Sequence, residues 1–190
     1  MPYQITGLPE ADAVLNEYPF ALVAGMMLDQ QHPMEHAFRG PWKILDRFGT
    51  LDPAAIATAD PQEFAALCAV PPAVHRFHGA MGARLQELAR VVVEEYDGDA
   101  SRIWTEAKSG AELLKRVQSL PGFGKQKAQI FVALLAKQAG IQPRGWKAAA
   151  GDYSLNGFRS VADVIDPETL LKVRSYKKAK KAAAKEAAAP

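Results

Sequence analysis

The segment from Leu113 to Ala128 constrains this chain more than any other. Leu113, Leu114 and Val117 recur at helical spacing, Leu120-Pro121-Gly122-Phe123-Gly124 breaks the pattern, and Lys125-Gln126-Lys127-Ala128 opens a second helix. Glycines at 122 and 124 permit positive φ and close approach of another backbone, so neighbouring amides can point outward together where the second helix starts. Such a turn binds an anion. Its amides recognise a phosphate oxygen and no base edge, which predicts a grip on a nucleic-acid backbone without sequence choice, with Lys125 and Lys127 adding charge.

The remaining sequence carries the helical period throughout, with no convincing strand alternation, and predicts an all-α fold. A first helix through Asp12 to Leu15 ends near Pro19, and the apolar run Phe20 to Gln30 is a central helix. A third starts at Pro33, with Gly40-Pro41 as an expected kink, and Asp52-Pro53 and Asp60-Pro61 each place an acidic N-cap before a first-turn proline. A longer helix runs from His75 to Tyr96, followed by a short one around Ile103-Trp104 and another capped by Ser109 with Glu112. Gly140 to Gly157 is the least regular stretch, and the last helix begins at Pro167. The expected architecture is two-lobed: a central bundle over 20–140, and a second lobe from 1–19 and 141–190 ending in a basic tail, with a cleft between them.

Charge is unevenly distributed. Seven of the 23 basic residues stand from Lys172 onward against the single acid Glu186, which leaves 16 basic and 20 acidic residues before them. The lone Cys68 excludes an internal disulfide, a multi-cysteine zinc site and the four thiolates of an iron–sulfur cluster. Neither a signal peptide nor a membrane-length apolar run is evident, so a cytoplasmic, nucleoid-associated protein is expected.

Leu-Pro-Gly-Phe-Gly-Lys-Gln-Lys-Ala from Leu120 resembles the helix-hairpin-helix signature of the HhH-GPD superfamily of base-excision DNA glycosylases. Leu22 to Gln31 is similar to the buried helix of that family, which ends in a glutamine-bearing turn at the DNA, and the resemblance covers about residues 20 to 155. It implies that Pro121, Gly122, Phe123, Gly124 and Lys125 hold the DNA backbone, and that Gln31 fills the gap left by a flipped-out nucleotide. In relatives that also cut the strand, a lysine two residues after the second glycine attacks the sugar; here that position is Gln126. Lys125 and Lys127 do not simply replace it, because each step turns a side chain by roughly 100° around the helix.

The resemblance therefore implies a monofunctional glycosylase, in which a carboxylate stabilises an oxocarbenium-like sugar while water attacks. The family's aspartate stands about twenty residues past the nucleophile position, where this chain has Arg144. The first acid after the hairpin is Asp152, which becomes the catalytic candidate if Gly140 to Lys147 absorbs the extra residues; the alternative is that Asp152 caps the following helix. Gln126, Trp146 and Tyr153 are the base-pocket candidates, whereas Trp42 and Trp104 read as core. His32 with His36, and His75 with His78, have ligand-like spacing but lack a completing Glu or Cys, so no metal site is assigned. The only ion retained is a structural monovalent cation at the hairpin. The expected partner is double-stranded DNA, bound by a monomer with no membrane association, and the rival reading is a non-catalytic helix-hairpin-helix DNA-binding protein.

Overall fold

A computed structural model describes residues 3–188, and within them every regular element is helical. The helices are α1 (Pro9–Glu17), α2 (Pro19–Leu28), α3 (Met34–Phe48), α4 (Pro53–Thr58), α5 (Pro61–Ala69) and α6 (His78–Tyr96). They continue with α7 (Arg102–Thr105), α8 (Gly110–Gln118), α9 (Lys125–Gln138), α10 (Trp146–Ala150) and α11 (Pro167–Ala187), with 3₁₀ turns at Gly151–Ser154 and Val161–Asp163.

Local chemistry accounts for most boundaries. The Asp52 carboxylate accepts from the amides of Ala54 and Ala55, and Asp60 does the same for Gln62 and Glu63, so each acid satisfies amides that have no partner within the helix. Ser109 accepts from the Glu112 amide, but the Glu112 carboxylate reaches the Lys108 amide at 3.0 Å, one residue before the expected reciprocal bond. α6 starts three residues later than its sequence pattern because the ring of His75 accepts the Phe77 amide proton and holds 75–77 in a turn. α3 continues through Pro41 as a single helix, and Gly40 serves packing: a Cβ there would lie 2.5 Å from Leu28 Cδ1.

Two apolar helices organise the interior. Phe20 to Leu28 of α2 is buried on every face, and Ile130 to Ala136 of α9 likewise. A single apolar core runs from Tyr3 to Val173 and includes side chains from both proposed lobes. α11 joins it through Val173 and through an ion pair between Arg174 and the buried Glu35 of α3. The C-terminal end of α2 and the N-terminal end of α9 meet at one face, tied by the Lys127 ammonium donating to the Met27 carbonyl at 2.8 Å.

Candidate nucleic-acid interface

The α8–α9 turn has the geometry its glycines allow. Gly122 sits at φ +81°, where a Cβ would meet Arg84 Cδ at 2.9 Å and Met27 Cγ at 3.0 Å, so this position admits only glycine without strain. Gly124 is different: its φ is −83°, nothing lies within 4 Å of its virtual Cβ, and it is exposed as the N-cap of α9. Its lack of a side chain therefore leaves the first amides of α9 open to a ligand. Phe123 is buried against Phe131 and anchors the turn, Pro121 is half-buried, and Lys125 is exposed beside the open amides. The turn has no side-chain oxygen between Leu120 and Lys125, so a monovalent cation there would have backbone carbonyls as its only ligands.

The turn after α2 lies on the same face. Arg84 of α6, which packs against Gly122, reaches the Gln30 side chain at 3.5 Å, and Arg76 reaches the Gln31 carbonyl at 3.4 Å. Gln31 is exposed at φ +52°, an uncommon conformation for a residue other than glycine. His75 holds this turn. Its Nδ1 accepts from Phe77, so Nε2 carries the proton and donates to the Gln30 carbonyl at 2.9 Å, and burial depresses its pKa. Arg76, Arg84 and the exposed Phe77 thus join the hairpin face, although sequence alone does not single them out. Among the described residues no cluster is arranged to hold a metal; His32 instead lies against His75 with ring centroids 4.6 Å apart, and burial lowers its pKa to about 4.

Behind this face a cavity of about 420 Å³ opens between α2, α9, the 3₁₀ turn at 151–154 and α11. Lys127, Arg159, Lys177, Lys180 and Lys181 make its walls basic, and Asp29 is the one acid among the described lining residues. Gln126 and Tyr153 stand together there, the Gln126 amide nitrogen donating to the Tyr153 hydroxyl at 2.8 Å, and Tyr176 adds a second ring. Lys127 therefore faces inward, where burial draws its pKa down to about 8 against the opposing pull of Asp29. Trp146 is placed elsewhere, its backbone packed against Gly110 at the start of α8. Asp152 is exposed beside Tyr153, outside the cavity lining, and its side chain caps no helix. A larger groove of about 510 Å³ lies between the N-terminal segment and the start of α11. It is chemically spent, because Asp12 accepts from the amides of Ile5 and Thr6 and Asp166 from that of Thr169.

The family model described as HhH-GPD superfamily base excision DNA repair protein matches residues 24–188, which is most of the chain. The chain belongs to the HhH-GPD superfamily of base excision DNA repair proteins. No curated protein and no solved structure matches it. As a member of a DNA repair family it acts on DNA, and no helix among the described residues is long and apolar enough to cross a membrane.

Proposed function

We propose that this chain is a monofunctional DNA glycosylase that binds double-stranded DNA and hydrolyses the N-glycosidic bond of a flipped-out damaged or mispaired base. The observation that carries the reading is the basic cavity lined by the first turn of α9, with Gln126 rather than an amine in the position of the strand-cutting lysine. The hairpin amides and Lys125 grip the backbone, Gln31 enters the gap, and the extrahelical base meets Gln126, Tyr153 and Tyr176. Gln126 and the tyrosine hydroxyl offer both a donor and an acceptor, which suits the hydrogen-bonding edge of a base. Cations around the cavity suit the phosphates that accompany a flipped nucleotide.

The exposed position of Asp152 favours a second reading, a DNA-binding protein without chemistry. Duplexes bearing uracil, alkylpurines, oxidised purines or mispaired adenine separate the two. The glycosylase reading expects alkali-labile sites on at least one duplex, an uncut strand before alkali and no adduct trapped by borohydride. Unaltered DNA throughout supports the non-catalytic reading, and a trapped adduct replaces the monofunctional mechanism with amine attack.

A further inference from the structure

We infer that Asp29, at the C-terminal end of α2, is the catalytic carboxylate that faces the sugar of the flipped nucleotide; the inference rests on the glycosylase reading. The other acids near the cavity are unsuitable. Asp152 is exposed and outside the lining. Asp163 is held by Lys137 at 2.7 Å and by the amides of Arg159 and Ser160, and Asp166 caps α11.

Asp29 combines exposure to the cavity with a carboxylate whose one ion-pair partner stands at the limit of contact. Its side chain is 12% exposed, lines the cavity and accepts no hydrogen bond from the described residues; the nearest cation, Lys177 Nζ, is 4.0 Å away. The location is unfavourable for an anion on two counts. Burial pushes the carboxyl above its ordinary range, with Lys177 and Lys127 pulling it back. It also stands at the C-terminal end of a ten-residue helix, where the aligned peptide dipoles present partial negative charge. The local structure requires only the Asp29 backbone, whose N–H bonds to the carbonyls of Gly25 and Met26, so an amide side chain would serve the turn equally well. A costly charge with no local structural task, in a basic cavity, marks a functional group.

In the reaction the C1′–N bond breaks and its electron pair leaves with the base, which takes up a proton from solvent. The sugar becomes cationic at C1′ beside the Asp29 carboxylate. Water then adds to C1′ and gives up its proton, leaving free base and an abasic sugar. Lys127 and Lys177 are positioning residues, whose charges oppose the upward pull of burial on the carboxyl.

A structural role would instead make Asp29 only the counter-ion that tolerates the half-buried Lys127. The test uses duplexes with two abasic-site analogues of the same shape, a neutral tetrahydrofuran and a cationic pyrrolidine, and needs no knowledge of the excised base. The wild-type protein is expected to bind the cationic analogue at least about tenfold more tightly, as for a transition-state mimic. Asp29→Asn should abolish that preference while retaining affinity for the tetrahydrofuran duplex, and Asp152→Asn should leave it intact. Acidification provides a readout on the wild type itself. The preference fades as Asp29 takes up a proton, whereas Lys127, Lys177, Lys180, Lys181 and Arg159, the charged groups facing it from α9, α11 and the 155–160 segment, stay charged. A preference that survives in Asp29→Asn, or its absence from the wild type, overturns the assignment. Loss of the preference in Asp29→Asn without excision of any base by the wild type would support the placement of the Asp29 carboxylate at the sugar and count against the glycosylase reading.

Discussion

The two hairpin glycines make opposite predictions for stability and binding. Alanine at Gly122 would be forced into a left-handed conformation, at about 1–2 kcal/mol for an L-residue. Its Cβ would also press on Arg84 Cδ at 2.9 Å and on the buried Met27 at 3.0 Å, and moving those side chains off their rotamers adds roughly 0.5–1.5 kcal/mol. Gly122→Ala should therefore lose about 1.5–3.5 kcal/mol, which for a chain of this size lowers Tm by roughly 3–14 °C. Gly124 has φ −83° and open space around it, so Gly124→Val should cost no more than about 1 kcal/mol, chiefly as a poorer N-cap. Yet its side chain would stand over the amides that meet the phosphate. Losing one charge-assisted hydrogen bond of about 1.5–3 kcal/mol weakens duplex binding by roughly 10- to 100-fold. Thermal melts beside fluorescence anisotropy at two salt concentrations check both halves. A folded Gly124→Val protein that binds DNA normally refutes the hairpin as the phosphate site, and an unchanged Tm for Gly122→Ala refutes the steric account.

Lys127 has a folded-state pKa of about 8 against the ordinary 10.5, so between those values the unfolded chain holds a proton that the folded chain lacks. Stability then rises with pH. The shift corresponds to about 3 kcal/mol, reduced to about 2 for a partly exposed group. Urea unfolding should show the wild type gaining that much relative to Lys127→Met between pH 7.5 and 10.5, and a constant difference would remove Lys127 from its buried setting. Replacing Lys180 and Lys181 together by glutamine should lower the salt dependence of duplex binding by about two units of slope, with the melt unchanged. An unaltered slope would mean that this part of α11 does not approach DNA.

The features legible in the sequence are the ones fixed by short-range chemistry. The acids of the Asp-Pro pairs and Ser109 bond amides two or three residues on, and the hairpin glycines set the local chain path, so they mark boundaries without knowledge of the tertiary fold. The hairpin is legible for the same reason. The cavity is not, because it forms where residues about a hundred positions apart, Met27 and Lys127, come together. Lys127 reads from the sequence as a cation for the phosphate, but Met27 offers a carbonyl at the end of α2 and draws the ammonium inward. Asp29 falls inside the run Phe20 to Gln30 that reads as a central helix, and its one local signal is a carboxylate at the wrong end of a helix. The terminal lysines read as a solvated tail, whereas Val173 and the Arg174–Glu35 pair seat α11 so that Lys177 and Lys180 line the cavity. Trp146 and Asp152 stand out only by their distance along the chain from the hairpin, whereas the packing of α10 on α8 and α9 sets where they lie.

The most direct measurement of the central claim is the identity of what leaves the DNA. Genomic DNA treated separately by deamination, alkylation and oxidation would be incubated with the purified protein, and the small-molecule fraction analysed by mass spectrometry for free bases. The account predicts release of one chemical class of free base, with an equal number of abasic sites left in uncut strands and no release by Asp29→Asn. No free base from any treated DNA, despite salt-sensitive binding through the hairpin, would contradict it and leave the chain a member of a repair family that holds DNA without excising from it.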